Sequence, residues 1–352
     1  MRLRRVEAAS RAALVGLAKS RNLPSPLEFG DGAPRIRVLY LRYDRIGDMI
    51  LSTGLLRAIA RSHPNVIVDV LASPENAPVL DGNPNVGSVI IADRRRPGSY
   101  LTAFRRIRLG RYDAILDCQI FSPSTTTLIM MLASGARHRI GLAGRGVDQA
   151  LTIPVPRPPG ARHYVEHLAA LATPFGVTDA PWRPEIFLSA AELALAESRW
   201  RAARRLLVNV SAGKATCRWP EDRWATVLRA LRARDDLDIV LTAAPADAAM
   251  AERLAGAGGA RFERTRSVRE VFALVAAADV VLTPDTAITH AASAFAKPSV
   301  VLFPRNRADV WGPYHTGGVG VAASGGTLES LPVEPVQEAL ASVLLETVSH
   351  PT

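Results

Sequence analysis

The chain has 352 residues, of which 48% are hydrophobic and 22% are charged, and its formal net charge at pH 7 is +10. This length is too great for one ordinary domain, and the composition is typical of a globular enzyme. The two cysteines, Cys118 and Cys217, exclude a disulfide framework and fit a reducing compartment. No apolar run reaches about 18 residues, which excludes a membrane-spanning helix.

The positive charge has two interpretations. The first is that a GC-rich genome produces a high arginine, alanine and proline content. The second is that the charge has a function and attracts polyanions such as phosphorylated lipid, nucleotide or nucleic acid. Aromatic residues make up 6% of the chain, and no nucleic-acid-binding motif accompanies the charge. We therefore do not expect nucleic acid as a partner.

Residues 1–34 form a basic N-terminal segment with a partly helical pattern. Its apolar stretch, Ala12–Ala18, is short and is followed by Lys19 and Arg21 without a small-residue cleavage site, so we exclude a signal peptide. A helix packed on the rest of the protein is favoured over a helix on an anionic membrane surface. We expect a cytoplasmic protein and leave open a peripheral contact with the inner face of the cell membrane.

Short β-rich runs then alternate with helical patterns, which is typical of a parallel sheet covered on both faces. The predicted strands are Arg35–Tyr43, Val66–Leu71, Val86–Ile91 and Ala114–Asp117. The predicted helices are Gly47–Ser62, Tyr100–Arg108 and Thr125–Ser134. The alternation loosens between Pro154 and Pro184, where seven prolines surround one predicted helix, His163–Phe175. We therefore place an N-terminal domain at 35–185 and a C-terminal domain at 186–352.

The alternation restarts in the C-terminal half. The predicted strands are Leu206–Val210, Ile239–Thr242, Val280–Leu282 and Ser299–Phe303. The predicted helices are Pro220–Arg234, Asp247–Ala255, Val268–Ala278, Ala287–Phe295 and Val333–Val348. The expected fold is thus α/β, with two Rossmann-like doubly wound domains facing a central cleft. Ligands in such sheets lie at the carboxyl ends of the strands.

The strongest functional motif is TPDTAITH, residues 283–290. Asp285 is predicted to cap a helix, and Thr286 and Ala287 to lie in its first turn, whose N–H groups bind phosphate. His290 follows one turn later on the same face, within reach of the same ligand. Ordinary capping with a structural histidine is the alternative, but the string as a whole favours a phosphate site.

A second motif, DRIGD, follows the first strand at residues 44–48. Asp48 enters the first helix at the cleft-facing end of the sheet, where a carboxylate can deprotonate a sugar hydroxyl. Helix capping by Asp44 or Asp48 is an equally good interpretation. The dinucleotide fingerprint is not present, because the segment has no G-x-G-x-x-G.

A third motif, VSAGKATCRWP at residues 210–220, follows the first strand of the second half. Lys214 and Arg218 are cationic donors that suit a diphosphate leaving group. A surface turn with solvated charges is the alternative. The segment is not a P-loop, because the earlier glycine is missing and Ala215 replaces Ser or Thr.

Two weaker features are a basic loop and the pair His163 and Glu166, for which structural roles are favoured over lining the cleft. A glycine-rich basic loop at 139–146 is interpreted as a mobile loop, with an anionic acceptor as the less favoured ligand. No His, Cys or Asp cluster has the spacing of a metal site, so no metal is expected.

The three motifs, in this order, resemble those of glycosyltransferase family 9, the ADP-heptose:lipopolysaccharide heptosyltransferases. The matching strings are RIGDMILSTGLLRAIARSHPNVIVDVLAS from Arg45, RWPEDRW from Arg218, TPDTAITHAASAFAKPSVVLF from Thr283, and WGPY at Trp311–Tyr314. The resemblance implies a GT-B fold and metal-independent, inverting transfer of a heptose or related sugar. It implies an ADP-sugar as co-substrate, no cofactor, and a saccharide or lipopolysaccharide-type acceptor.

The resemblance also implies roles for individual residues. By it, Asp48 is the catalytic base and Asp285 holds the donor-sugar hydroxyls. The diphosphate-binding turn comprises Thr286, Ala287 and His290, and Asp247 lies near an acidic residue that binds the nucleoside.

One departure from the family concerns the leaving group. The family has Lys two positions before the Trp of its Trp-Pro pair, whereas this chain has Cys217. Arg218, or Lys214 folding back, is expected to substitute. Two other functions fit the residues: a GT-B-like nucleotide-sugar epimerase or hydrolase, and a non-catalytic nucleotide- or polyanion-binding protein.

Overall fold

The computed structural model describes residues 2–17, 27, 35–202 and 204–349. The chain divides into two compact units, Met1–Trp182 and Arg183–Thr352. Each unit is built on its own six-stranded parallel sheet. This confirms the predicted class of two doubly wound α/β domains.

In the first unit the strands lie in the order β3-β2-β1-β4-β5-β6. They are β1 Ile36–Leu41, β2 Val66–Ala72, β3 Val89–Ile91, β4 Ala114–Asp117, β5 His138–Leu142 and β6 Ile153–Val155. The helices are α1 Arg2–Leu17, α2 Ile46–Ala60, α3 Pro97–Leu109, α4 Thr125–Ser134 and α5 Tyr164–Ala169. Central strands β1 and β4 are almost wholly buried and apolar, as expected of a sheet covered on both faces.

The predicted helix His163–Phe175 is interrupted. Only Tyr164–Ala169 is α-helical, and Ala170–Phe175 continues as a 3₁₀ helix. Pro174 explains the change, because it has no N–H to donate to Ala170 and its ring clashes with that carbonyl in α geometry.

The prediction of a mobile basic loop at 139–146 is wrong. Residues His138–Leu142 form β5, and Arg145 is buried, with Nη1 donating to the Asp117 carboxylate at 2.8 Å. A Cβ atom at Gly141 would lie 2.7 Å from Arg145 Nη2, so this glycine makes room for the guanidinium. Arg145 therefore has a structural role in the core.

The described part of the N-terminal segment packs on the first unit. Val15 of α1 and Leu128 of α4 belong to one buried cluster, and Leu14 and Leu132 pack against it, which confirms the favoured interpretation for this helix. The rest of the predicted segment, apart from Leu27, lies outside the described residues. Within the described residues, no helix combines the length and apolarity that a bilayer crossing requires.

In the second unit the strands lie in the order β12-β11-β10-β7-β8-β9. They are β7 Arg204–Asn209, β8 Leu237–Thr242, β9 Arg261–Phe262, β10 Val280–Pro284, β11 Ser299–Phe303 and β12 Val319–Ala322. The helices are α6 Ala190–Glu197, α7 Glu221–Leu231, α8 Ala248–Gly258, α9 Val268–Ala277, α10 Ala287–Ala294, α11 Ala308–Trp311 and α12 Glu334–Ser349. The core on one side of this sheet is formed by residues of β7, β8, β10 and β11 with α7, α8 and α12.

Candidate active site

Each sheet has a point at which its strand order reverses. In the first unit β1 and β4 are neighbours, and the chain proceeds outward from them in opposite directions; β7 and β10 are the corresponding pair in the second unit. Ligands of doubly wound sheets bind at such a switch point, beyond the carboxyl ends of the strands. The predicted site residues of each unit follow these central strands or the adjacent β8.

Asp48 lies in the first turn of α2, directly after β1, and is buried. The N-cap of α2 is Arg45, so the capping interpretation of Asp44 and Asp48 is wrong. The pKa of the Asp48 carboxyl is raised from 3.8 to about 6, mainly because the group is buried; Arg42 opposes the rise and the Asp44 carboxylate adds to it. A carboxylate whose pKa is close to neutral is suited to general base catalysis.

Arg42, which sequence reasoning missed, is the buried cation beside these carboxylates. Its guanidinium contacts the Asp44 carboxylate at 3.1 Å, donates to the Tyr164 hydroxyl at 2.8 Å, and also donates to the Cys118 carbonyl. Tyr164 belongs to α5 and Cys118 follows β4, so Arg42 joins three elements at the switch point. A charged residue directly after an apolar strand was the signal available in the sequence.

The pH dependence of activity should report the raised pKa of Asp48. Because the base must be ionised, we expect kcat/KM to rise with pH and to level off above an apparent pKa of about 6. A profile measured from pH 4.5 to 8 tests this. Asp44→Asn should shift the acidic limb to lower pH, since Asp44 raises the pKa of Asp48. An unshifted limb in that variant would contradict the assignment of the pKa to Asp48.

In the second unit, three predicted segments meet at one edge of the sheet. They follow β7, β8 and β10, which are adjacent strands. The first carries Lys214 and Arg218, the second Asp247, and the third Asp285 and Thr286. The topology thus brings together residues that are far apart in the sequence.

Helix α10 begins at Ala287, as predicted, but its capping residue differs from the prediction. Thr286, not Asp285, is the N-cap, and its hydroxyl accepts a hydrogen bond from the Ile288 N–H at 3.3 Å. Asp285 instead continues the strand ladder, with its N–H donating to the Leu302 carbonyl at 2.9 Å. Ala287 is therefore the first helical residue, and its N–H lacks an intrahelical acceptor.

A buried polar network, which was not predicted, holds the Thr286 hydroxyl. Asn209 Nδ2 donates to the hydroxyl oxygens of Thr283 at 3.0 Å and Thr286 at 3.4 Å, and the two hydroxyls lie 3.1 Å apart. Asn209 ends β7 and Thr283 lies in β10. The network therefore fixes the start of α10 to both central strands.

His290 lies one turn beyond Thr286 and is buried. Its ring centroid is 6.3 Å from that of Trp311. His290 thus packs beside the tryptophan of the WGPY segment, and its predicted contact with the diphosphate stays a prediction.

Arg218 and Asp247 form an ion pair at 3.4 Å, and their side chains are 55% and 12% exposed. Arg218 Nε also donates to the Ala212 carbonyl at 3.2 Å. The cation predicted for the diphosphate therefore contacts the acid predicted for the nucleoside. Lys214 is exposed at the start of the turn, and its contact with a diphosphate stays a prediction.

A groove of about 380 Å³ lies beside this pair. It is lined by Ala215, Thr216, Arg218, Trp219, Pro220, Thr327 and Glu329. Trp219 is held in place in the wall of this groove. Its indole N–H donates to the Leu331 carbonyl at 2.9 Å, and its ring packs edge-on against that of Trp224, with 4.8 Å between the ring centroids.

Cys217 occupies the position where the resemblance leads one to expect lysine, and it is buried. Burial and the nearby Asp285 carboxylate raise the pKa of its thiol, whereas Lys214 lowers it. The thiol is thus neutral at physiological pH and supplies no positive charge beside Asp285. In the described residues, no three His, Cys, Asp or Glu side chains are grouped to hold a metal ion.

Comparisons with known proteins agree with this architecture. Lipopolysaccharide heptosyltransferase 3 of Escherichia coli K12 is 23% identical over 301 residues, covering 76% of this chain and 82% of the relative. The glycosyltransferase family 9 structure from Veillonella parvula superposes with a TM-score of 0.76 at 17% identity, covering 89% of this chain and 98% of that one. The structure of E. coli heptosyltransferase WaaC with ADP gives a TM-score of 0.73 at 18% identity, covering 88% of this chain and 100% of that one.

These structural likenesses confirm the GT-B fold. The family described as glycosyltransferase family 9 (heptosyltransferase) matches residues 101–329, more than half of the chain. Asp48 precedes the matched range. The chain therefore belongs to glycosyltransferase family 9 and is a glycosyltransferase.

Proposed function

We propose that this glycosyltransferase moves a heptose or related sugar from an ADP-sugar to a saccharide or lipopolysaccharide-type acceptor. The observation that carries the proposal is Asp48, a buried carboxyl with a pKa of about 6 at the switch point of the first sheet. The names of the relatives, lipopolysaccharide heptosyltransferases 3 and 2, support the sugar and acceptor classes.

The proposed reaction is a single displacement. Asp48 accepts the proton of the acceptor hydroxyl while the hydroxyl oxygen bonds to the anomeric carbon. The bond between that carbon and the diphosphate oxygen breaks on the opposite face, so the configuration inverts and ADP leaves. A base with a pKa near the working pH accepts the proton without being protonated beforehand.

The charge that develops on ADP is met by the second unit in this proposal. Thr286 and the first N–H groups of α10 donate to the diphosphate, as free groups at helix N-termini do. Arg218 and Lys214 add positive charge, and no metal is required. Asp285 holds the sugar hydroxyls, and Asp247 binds the nucleoside.

The nucleotide preference tests the donor. A ligand that binds only the folded state raises Tm by mass action, so we expect ADP to raise Tm more than UDP or GDP at equal concentration. Asp48→Asn is the matched control and should keep the full ADP shift, because Asp48 is assigned to the acceptor. A clear preference for UDP or GDP would overturn the ADP-sugar donor while leaving the family membership intact.

The cations near the Trp-Pro pair provide a second test. Arg218→Ala should lower donor affinity and turnover together by about 10- to 100-fold, since charge-assisted hydrogen bonds are lost. Lys214→Ala should have a smaller effect, because this side chain is exposed. Cys217→Lys should be tolerated and should partly rescue Arg218→Ala. Normal kinetics in both alanine variants would mean that the diphosphate rests on the start of α10 alone.

A further inference from the structure

The segment Arg94–Arg111, which contains α3, has the highest net positive charge of any stretch of its length in the sequence. It holds seven arginines and no Asp or Glu, and it accounts for most of the net charge of +10. All seven side chains are exposed. We name as the α3 arginine surface the residues Arg94, Arg95, Arg96, Leu101, Arg105, Arg106, Arg108, Leu109 and Arg111.

The outward face of α3 combines positive charge with exposed apolar side chains. Ala103 and Ile107 face the core and are buried, whereas Leu101 is 54% exposed and Leu109 is 80% exposed. Arg105 lies four residues from each leucine, so the three share one side of the helix. Two large apolar side chains among arginines are therefore presented to water.

Most of the charge on this surface is uncompensated. Arg95 approaches Glu75 at 3.4 Å and Arg96 approaches Asp93 at 3.8 Å, both at the start of the segment. The other five arginines of the surface form no ion pair with any residue that the structure describes. An anionic partner would therefore meet a face that has no acid between Arg96 and Arg111.

We propose that the α3 arginine surface docks on an anionic lipid bilayer. The arginines match the negative charge of the headgroups, and the two leucines enter the boundary between headgroups and acyl chains. A nucleic acid would use the arginines but leave the leucines in water. The rings of Tyr100 and Phe104 are partly buried, which does not suit base stacking.

This assignment places the membrane contact on α3. The apolar residues Leu14 and Val15 of α1 are already used in packing against α4. Helix α3 also packs against α4, but its outer leucines remain exposed. The proposal does not depend on the identity of the sugar donor.

Flotation of the full-length protein with lipid vesicles tests the proposal. The vesicles are phosphatidylcholine alone or phosphatidylcholine with about 30% phosphatidylglycerol, at roughly 0.1 M salt. We expect partitioning at least about ten-fold stronger onto the anionic vesicles. The double variant R105E/R108E should lose most of this difference, and L101S/L109S should weaken binding by about ten-fold.

The control is R229E/R232E, which changes the net charge equally at exposed arginines in the second unit and should bind like the unaltered chain. Circular dichroism checks that every variant is folded. The binding result of each α3 variant is interpreted on its own, so the test does not depend on both variants folding. Equal binding by R105E/R108E and the unaltered chain would overturn the proposal, as would failure of the unaltered chain to bind anionic vesicles. If L101S/L109S binds normally and short single-stranded DNA competes with the vesicles, the surface binds polyanions and the lipid assignment is wrong.

Discussion

Asp48→Asn should lower turnover by about two to four orders of magnitude, which is the contribution expected of a general base. The amide keeps the size of the side chain but cannot accept the acceptor proton. Donor binding should change little, because the diphosphate is assigned to the second unit. Steady-state kinetics with saturating donor, together with ADP binding, measure both quantities.

Two controls separate this loss of turnover from unfolding. The pKa of Asp48 is raised above its ordinary value, so ionisation of this group lowers the free energy of unfolding as pH rises from about 4 to about 6. Asp48→Asn should therefore be at least as stable as the parent chain at pH 7. Asp44→Asn removes the neighbouring carboxylate and should keep most of the activity. Near-normal turnover in Asp48→Asn would reassign the base.

Arg145→Met should lower the free energy of unfolding by about 3–5 kcal/mol, because it leaves a buried carboxylate without its cation. Arg145 and Asp117 form their ion pair at 2.8 Å with side chains only 1% and 5% exposed. Arg145 also donates to the Leu142 carbonyl at 2.8 Å and to the Gln119 carbonyl. Urea unfolding of the full chain measures the change.

The exposed pair of Arg253 and Glu221 is the matched comparison, since its two contacts also measure 2.8 Å. Arg253→Ala should have a much smaller effect on unfolding, because water screens exposed ion pairs. The double variant Arg145→Met/Asp117→Leu should recover part of the stability lost in Arg145→Met. If Arg145→Met costs no more than Arg253→Ala, the buried pair does not stabilise the first unit.

The long elements of the fold were predictable because their hydrophobic patterns are strong. Strands β4 and β11 were predicted residue for residue, as was helix α4. Strands β5, β6, β9 and β12 were missed. Strand β5 falls in the segment that was interpreted as a loop, whereas β6 has three residues, β9 has two, and β12 is mostly exposed and contains Gly320. Such short or exposed strands bury too few side chains to produce an alternating pattern.

The composition of the site was less predictable than its location. The Asn209 network joins β7 and β10 across 74 residues of sequence, and the pair of Arg218 with Asp247 joins two separate loops. No local pattern encodes these contacts, because they arise from the order of the strands. The shift of the α10 cap to Thr286 has a local cause: Pro284 still pairs with Leu302, and the Asp285 N–H donates to the Leu302 carbonyl, so the strand ladder continues up to Asp285.

One measurement tests the proposed donor and the proposed acceptor together: the release of ADP from ADP-heptose, with and without a lipopolysaccharide-core acceptor. We expect release to depend on the acceptor, to fall with Asp48→Asn, and to yield a glycoside whose anomeric configuration is opposite to that of the donor. Equal release without an acceptor would indicate a hydrolase, and conversion of the donor to an isomeric ADP-sugar without ADP release would indicate an epimerase. Binding of ADP-heptose without turnover in the presence of acceptor would contradict transfer from this donor.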